Sequence, residues 1–388
     1  MDIRYAKDGD LENIKDIWNY CFGDEEAFVD YYFNNKYKAK NTILIEEDGD
    51  LMSSLQLNQY KIKLNNNTYD TSYIVGVSTY PNARGKGYMK DMMDFSLNEL
   101  YKKGQLVSLL MPIDYRLYRK YGYEHCYDQI EYKVDINDLK QFKINGDFEK
   151  VKDTNIKDMI NIYNDFLIKN NGYVVRDENY YNNLFKEIKC ENGHMYIHKD
   201  ENYDGYIIYF IMEDTMFVRE ICYKNINALN SILKFIFNHN TQCKKVTIRS
   251  SITDSIRYIL PNLKTSEVNI NPFMMGRIIN IQGFIDSLKI KCNNLDEAYI
   301  GVVDNQIEQN NKVFKLKVED NKVSAQATSE RADITLSINN ISQLAFSYIT
   351  LDEVLFLNNI EKNKKNKKAI DLLSGIFNKS NNYINEYV

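Results

Sequence analysis

The sequence has few of the residues that interrupt regular secondary structure. Among 388 residues there are only 16 glycines and 4 prolines, well below the roughly 12% that these two types contribute to an average protein. This scarcity excludes collagen-like and linker-dominated proteins. Hydrophobic residues make up 44% of the chain and aromatic residues 13%, which is enough for a large core and excludes a wholly disordered protein. At about 150 residues per domain, the length predicts two to three domains.

Features that mark several other classes of protein are also missing. Lys and Arg number 49 against 54 Asp and Glu, so the net charge is −5 and nucleic acid is not expected as a partner. No apolar run approaches the roughly 18 residues that span a bilayer, and the N-terminus has no signal-peptide apolar stretch. We therefore expect a cytoplasmic protein without a membrane partner, and homo-oligomer formation stays open.

Metal sites are not expected either. The six cysteines lie far apart and form no C-x-x-C pair, which predicts reduced core thiols rather than disulfides or zinc ligands. Of the four histidines, His194 and His198 are four residues apart. The residues between them are typical of a strand, which would hold the two imidazoles apart.

An internal repeat organises the first two thirds of the chain. Lys7 and Asp8 recur as Lys152 and Asp153, and each pair precedes apolar residues at helical spacing. The same order follows in both copies: three strands, a helix, a strand, a short helix and a closing strand, predicted at 125–134 and at 274–281. The predicted fold class is mixed α/β, with tandem domains at 1–145 and 146–285 and a third, α+β domain at 286–388.

The few glycines gather in one turn of the first copy. Gly76, Gly85 and Gly87 lie where a predicted strand ending at Thr79 leads into a predicted helix. Free N–H groups at the start of a helix, its dipole and the missing glycine side chains together favour an anion site. An ordinary loop with solvated basic residues stays open as the alternative. The phosphate loop of nucleotide hydrolases and the dinucleotide fingerprint are both absent.

The run from Val77 to Met89 resembles the acetyl-CoA signature R/Q-x-x-G-x-G/A of the GCN5-related N-acetyltransferases (GNATs). Arg84 and Gly87 are in place, and Met89 stands where a small residue is usual. Together with the repeat and the third domain, the whole chain resembles the Eis (enhanced intracellular survival) type. That resemblance implies two tandem GNAT domains, the second degenerate, and a C-terminal domain similar to sterol carrier proteins.

The resemblance also implies acetyl-CoA as co-substrate and no metal. It assigns the pantetheine arm to the backbone of Val77 and Thr79. It assigns the pyrophosphate to five residues of the turn, namely Arg84, Gly85, Lys86, Gly87 and Tyr88. The corresponding stretch of the second copy, 219–228, has no glycine, so we expect one acetyl-CoA per chain.

Catalytic roles follow from the same resemblance. Residues 118–123 resemble the Y-x-x-F/Y-G-Y stretch of the Eis type, whose last tyrosine is the general acid, which assigns that role to Tyr123. The base of the Eis type is the C-terminal carboxylate, here that of Val388. The acidic residues expected to meet the amine are Asp24, Glu25 and Glu26 at the start of the second helix, and Glu386.

The function predicted is acetyl-CoA-dependent N-acetyl transfer to a primary amine, directly within a ternary complex. The expected acceptor is a cationic small molecule, aminoglycoside-like or polyamine-like, or a lysine side chain. Two alternatives stay open. One is a non-catalytic module whose third domain binds an apolar ligand or a partner, and the other is a transferase with a different acyl donor.

Overall fold

The computed structural model describes residues 1–290 and 297–387. The first copy of the repeat contains strands and helices in this order: β1 (Asp2–Tyr5), α1 (Leu11–Phe22), α2 (Glu26–Asn35), β2 (Thr42–Glu47), β3 (Asp50–Leu64), β4 (Asn67–Thr79), α3 (Tyr88–Lys102), β5 (Val107–Leu110), α4 (Tyr115–Arg119) and β6 (Glu124–His125). Apolar residues one turn apart on α3, among them Met93, Leu97 and Leu100, are buried against the sheet. This periodicity is what makes the segment an amphipathic helix.

The next part of the chain repeats this order. Its elements are β7 (Asp128–Asp135), β8 (Asp147–Lys150), α5 (Ile156–Phe166), β9 (Tyr173–Val174), α6 (Glu178–Cys190), β10 (His194–Lys199), β11 (Tyr203–Met212), β12 (Thr215–Tyr223), α7 (Ile226–Phe237), β13 (Lys245–Ser250), α8 (Ile256–Ile259), β14 (Glu267–Pro272) and β15 (Met275–Ile278). The side chain of Asn225 caps α7 by accepting a hydrogen bond from the N–H of Ala228 at 2.8 Å, which sets where this helix begins.

The two copies exchange strands. The first sheet has the order β1-β2-β3-β4-β5-β15-β6, with β9 beside β3, and the second has the order β14-β7-β13-β12-β11-β10-β8. Thus β7 follows the first copy but pairs within the second sheet, and β15 follows the second copy but lies between β5 and β6. The prediction that 125–134 and 274–281 each close their own copy is therefore wrong. Boundaries at 145 and 285 divide the chain by repeat and not by sheet.

The third part of the chain packs against the first sheet. Its elements are α9 (Ile281–Asp286), β16 (Glu297–Val303), β17 (Val313–Glu319), β18 (Lys322–Thr328), β19 (Ile334–Ser337), α10 (Ile338–Ala345), α11 (Leu351–Leu357) and α12 (Lys367–Ile376). The four strands form a third sheet in the order β18-β17-β16-β19. Gly276 on β15 touches the ring of Phe346, which follows α10. The predicted class, mixed α/β with an α+β third part, is confirmed.

A buried ion cluster joins the first two copies. Glu187 on α6 accepts hydrogen bonds from Tyr31 Oη at 3.2 Å and from Arg219 Nη2 at 2.6 Å, and Lys36 Nζ lies 2.8 Å from its carboxylate. Tyr31 belongs to α2 and Lys36 follows it, whereas Arg219 belongs to β12. Since a buried charge is tolerated only when it is paired, the cluster fixes α2 against α6 and β12.

Three further observations concern the residues that the structure describes. The five cysteines among them are free thiols, and Cys292 lies outside that part of the chain. No group of three or more His, Cys, Asp or Glu side chains within 1–290 and 297–387 is arranged to hold a metal ion. Among the described helices, none combines the length and the apolar character that crossing a membrane requires.

Candidate active site

The first sheet opens between β4 and β5. The two strands pair in parallel from Thr71 opposite Val107 to Ile74 opposite Leu110, where β5 ends, while β4 continues to Thr79. On this side, residues 75–79 of β4 therefore have no pairing with β5. Those of their backbone N–H and C=O groups that point away from β3 face a gap, the strand opening, and can bind an extended ligand.

A bulge at Gly76 shapes the strand opening. The register between β3 and β4 shifts by one residue here. Gly76 has a φ of +58°, and a Cβ built on it would lie 2.0 Å from Oε1 of Gln56 and 2.4 Å from Cζ3 of Trp18. Glycine is therefore required both for its conformation and for space.

The turn predicted to bind an anion lies at the N-terminus of α3. A short 3-10 turn, Pro81–Ala83, leads into Gly85 (φ +79°) and Gly87 (φ +91°), and Gly87 is the N-cap residue of α3. No described side chain caps this end, so the first N–H groups of the helix are available to a ligand. A Cβ at either glycine would meet nothing within 4 Å, which leaves room for a phosphate to reach the backbone.

Two basic side chains flank the turn. Lys86 Nζ lies 2.6 Å from the carboxylate of Glu47, and this hydrogen bond lowers the pKa of Glu47. Arg84 is exposed, and its Nε donates to the backbone oxygen of Thr79 at 3.4 Å. Tyr88, the first residue of α3, buries its ring in the core. Only its backbone N–H is therefore directed to the turn.

The strand opening leads into a cavity of about 850 Å³, which we call the central cavity. Its wall combines the bulge of β4, the connection from α1 to α2, the segment after β5, the end of α6 and the end of the chain. The residues used below are Trp18, Asp24, Glu25, Gly76, Val77, Tyr118, Glu191 and Tyr387.

Three carboxylates border the central cavity. Asp24 accepts a hydrogen bond from Trp18 Nε1 at 2.9 Å, Glu25 is the N-cap residue of α2, and Glu191 comes from the second copy. Burial raises the pKa of Glu191 although Arg219, 3.7 Å from its carboxylate, opposes the rise, and the negative charges of Glu187 and Asp24 add to it. Glu26, in the first turn of α2, is exposed and lies outside the cavity wall. The acidic wall favours a cationic ligand.

The two tyrosines of the 118–123 stretch occupy different places. Tyr118, on α4, borders the central cavity, and its hydroxyl has no hydrogen-bond partner among the described residues. Tyr123 is fully buried, and its hydroxyl lies 2.7 Å from Oγ of Ser108. Ser108 belongs to the paired part of β5, opposite Ser72. Tyr123 is therefore buried against β5 and is not among the residues that border the central cavity.

The C-terminal segment, Asn382–Tyr387, is embedded between the copies. Glu386 is 2% exposed, and its Oε1 accepts hydrogen bonds from Arg176 Nε and from the Tyr180 hydroxyl, each at 3.0 Å. It is thus paired and does not border the central cavity. Tyr387 does border it. Val388 lies outside the described residues, and its assignment as the base stays a prediction.

The corresponding helix start of the second copy, unlike that of α3, is capped by a side chain. Asn225 fills the N-terminus of α7 through its hydrogen bond to Ala228, and its amide nitrogen donates to Asp204 at 2.9 Å. A side-chain cap and a neighbouring carboxylate leave no place for a phosphate at this helix. This agrees with the missing glycines of 219–228.

Three wall residues were missed in the sequence analysis. Tyr118 is the first residue of the 118–123 stretch, and its predicted position on a short helix was the one sequence feature that could have indicated it. Glu191 follows α6 of the second copy and Tyr387 is near the chain end. No local pattern reports that these two segments meet the first copy.

Three family models match successive parts of the chain. Residues 2–126 match an acetyltransferase (GNAT) domain, residues 172–278 match a second model of the same description, and residues 281–385 match a sterol carrier protein domain. The chain belongs to the GNAT acetyltransferases, a class of enzymes whose fold transfers acyl groups and binds acetyl-CoA as a general feature. Among curated proteins, no relative matches it.

Solved structures share the organisation of the whole chain. It is similar to a probable N-acyltransferase from Enterococcus faecalis (19% identity, TM-score 0.87, covering 100% of this chain and 99% of that one). A GCN5-related N-acetyltransferase from Anabaena variabilis (21%, 0.85) and Eis1 from Mycobacterium abscessus (13%, 0.77) are covered completely, as is this chain. At these identities the likeness shows a common fold. The three-part organisation is that of the Eis type, as the sequence predicted.

Proposed function

We propose that the protein is an acetyl-CoA-dependent N-acetyltransferase that acetylates a primary amine on a cationic small molecule or a lysine. The observation that carries this proposal is that the strand opening is continuous with the central cavity. Val77 belongs both to the strand opening, beside the anion-binding turn, and to the wall of the acid-lined central cavity. A donor lying along β4 would present its thioester to an amine held in that cavity.

The donor would be held mainly by backbone groups. The N–H groups at the start of α3, with Arg84 and Lys86, would bind the phosphates. The free edge of β4 at Val77 and Thr79 would pair with the amides of the pantetheine arm. The required chemistry then takes place at the bulge, where Gly76 leaves the backbone open to the cavity.

The acceptor would be drawn in by charge and then lose a proton. A primary amine with a pKa near ~10 is mostly protonated at pH 7, and Asp24, Glu25 and Glu191 would attract that cation. A base must remove one proton before nitrogen can attack. We keep the carboxylate of Val388 as this base, because the residue before it, Tyr387, borders the cavity.

The transfer itself needs a proton donor. Nitrogen attacks the thioester carbonyl and forms the C–N bond, and the tetrahedral intermediate collapses with cleavage of the C–S bond. The CoA thiolate takes up a proton from the acid, and the nitrogen, which still carries one proton more than the amide product, returns a proton to that acid. Sequence resemblance assigns the role of the acid to Tyr123, whose hydroxyl is engaged by Ser108. We propose Tyr118 instead, because it borders the cavity and because burial raises its pKa, so its proton is retained until the thiolate forms.

The alternative of an apolar-ligand module has less support. Inside the third part of the chain, between the sheet and its helices, Ile300, Phe314 and Leu336 border a space of about 10 Å³. That is room for about one water molecule, whereas binding pockets for organic ligands measure roughly 300–1,000 Å³. A packed interior is suited to a structural role.

Release of free CoA thiol from acetyl-CoA, measured against a panel of diamines, polyamines, aminoglycosides and a lysine peptide, tests the proposal. We expect at least one amine to be acetylated, with product confirmed by mass spectrometry. Running the same panel with propionyl- and longer acyl-CoAs tests the donor. Thiol release that no amine accelerates, with any donor, would overturn the proposal.

Tyrosine variants test the assignment of the acid. We expect Tyr118→Phe to lower kcat about a hundredfold or more, with the KM for acetyl-CoA unchanged. Tyr121→Phe is the matched control, because its hydroxyl is buried without a hydrogen bond to any described residue and its loss should be silent. A large loss in Tyr123→Phe together with an active Tyr118→Phe would return the role to Tyr123. Deletion of Val388 should lower kcat as well.

A further inference from the structure

The second sheet opens as the first one does. β12 pairs with β13 in parallel over four residues, from Thr215 to Val218, and then the two strands separate. A one-residue register shift between β11 and β12 follows at once and makes Arg219 the bulge residue, the counterpart of Gly76. The second copy has therefore kept the strand opening although its helix N-terminus is closed to phosphate.

The chain's own C-terminal segment fills this second opening. The side-chain amide of Asn385 donates to the backbone oxygen of Arg219 at 3.1 Å and to Oε2 of Glu220 at 2.8 Å. Gln129, on β7, donates to the backbone oxygen of Ile384 at 3.1 Å and to Oδ1 of Asn385 at 2.9 Å. An amide pairing with the bulge carbonyl is the type of contact that a pantetheine arm would make in the first sheet.

One buried arginine anchors the segment. Arg176 forms a two-pronged ion pair with Glu220 (2.7 and 2.8 Å) and donates from Nε and Nη2 to Glu386 (3.0 and 2.9 Å). Its guanidinium lies 4.0 Å from the ring centroid of Tyr163 and 4.7 Å from that of Tyr180. A single cation thus holds two carboxylates, one from β12 and one from the C-terminal segment, in a fixed planar geometry.

The anchored segment ends at the first copy's cavity. Arg249 donates to the hydroxyl of Tyr387 at 3.1 Å, Phe273 lies 5.2 Å from its ring and the Arg219 guanidinium 4.8 Å from it. The same ring borders the central cavity together with Gly76. The position of Tyr387 relative to the strand opening of the first sheet is therefore set by contacts with the second.

We infer that the second acetyltransferase-like copy is the receptor for the chain's own C-terminal segment. Asn382–Tyr387 occupies the opening that would otherwise take a cofactor arm. Arg176, Glu220 and Asn385 are positioning residues for the reaction in the first copy. The positioning role rests on the proposed function; the occupancy of the second opening does not.

Two variants of the full chain test this inference. Glu386→Gln removes one carboxylate from Arg176, and Asn385→Ala removes the amide that binds the bulge carbonyl of Arg219. Glu201→Gln and Asn202→Ala are the matched controls, because both residues are exposed in the turn between β10 and β11. Hydrogen exchange of a C-terminal peptide reports on the segment, and steady-state kinetics with acetyl-CoA and the best amine report on catalysis.

We expect exchange in 381–387 to accelerate at least tenfold in both variants while exchange in 67–90 stays unchanged. The kcat at pH 7 should fall at least tenfold, and the KM for acetyl-CoA should stay within twofold. Near pH 10 the kcat of the variants should approach that of the wild type, because roughly half of the amine is neutral there, against about 0.1% at pH 7, and depends less on a placed base. A general folding defect would not recover with pH.

The outcomes separate the claims. Faster hydrogen exchange in 381–387 with an unchanged kcat would overturn the positioning role. Unchanged exchange in both variants would overturn the inference that the second copy binds the C-terminal segment. If Glu386→Gln does not fold, Asn385→Ala, which keeps the ion pair, decides the question. If the wild type acetylates no amine, the proposed function and the positioning role both fall, and the exchange data alone decide whether the second opening holds the segment.

Discussion

Replacing Gly76 with alanine should damage both the stability of the first sheet and its affinity for CoA. The new Cβ would lie 2.0 Å from Gln56 Oε1 and 2.4 Å from a ring carbon of Trp18. The Gln56 carboxamide has no hydrogen bond to any described residue and can rotate away. Trp18 cannot, because Asp24 holds its Nε1 at 2.9 Å and its ring stacks on Tyr32 at 4.6 Å.

The magnitude follows from two costs. A side chain in the left-handed region costs roughly 1–2 kcal/mol, and overpacking a filled site costs about 1–3 kcal/mol. We therefore expect Gly76→Ala to lower the free energy of unfolding by about 2–5 kcal/mol. Because relief of the clash must move either the bulge or Trp18, the Kd for CoA should rise at least tenfold.

Urea denaturation and titration calorimetry with CoA measure these two quantities. Gly104→Ala is the matched control, since Gly104 also has a positive φ (+73°) but a Cβ there would meet nothing within 4 Å. It should cost about 1–2 kcal/mol and leave CoA binding unchanged. If Gly76→Ala is no more destabilising than Gly104→Ala, the contact with Trp18 does not hold the bulge and the reasoning is refuted.

Other predictions concern charge. Burial raises the pKa of Glu187, but its two paired cations outweigh that effect and lower the pKa from 4.5 to about 2. This carboxylate therefore contributes about 3 kcal/mol to the free energy of unfolding above pH 4.5, and the contribution is lost as the pH falls toward 2. Glu187→Gln should remove this pH dependence from the midpoints of urea denaturation. Burial raises the pKa of Asp254 from 3.8 to about 6, so the free energy of unfolding falls as the pH rises from 3.8 through 6. Asp254→Asn should therefore be more stable than the wild type by up to about 3 kcal/mol at pH 7.5 but not at pH 3.5. Arg84→Ala and Lys86→Ala should each raise the Kd for CoA about tenfold, less so in high salt. Calorimetry should find one CoA per chain, and two equivalent sites would contradict the prediction that the second copy binds no CoA.

Local patterns determined most of the secondary structure. Residues 226–237 form α7, and its Asn cap and its apolar face are both properties of contiguous residues. The turn at 85–87 was found for the same reason: a positive φ and an uncapped helix start are properties of neighbouring residues. The order of the elements and the absence of a glycine-rich turn at 219–228 were likewise predicted from the sequence alone.

Partners distant in sequence were decided by the tertiary structure. The segment predicted as one strand at 125–134 divides into β6 and β7, which join different sheets, and periodicity carries no information about such pairing. Tyr118 borders the cavity and Tyr123 does not, a difference that the 118–123 stretch by itself does not indicate. Glu191 and Tyr387 reach the cavity through the packing of the second copy and the C-terminal segment. The sequence by itself determined the class of enzyme and located the turn that we propose binds the phosphates, because those rest on contiguous residues. The cavity and the place of Asn382–Tyr387 depend on contacts across more than a hundred residues, which only folding brings together.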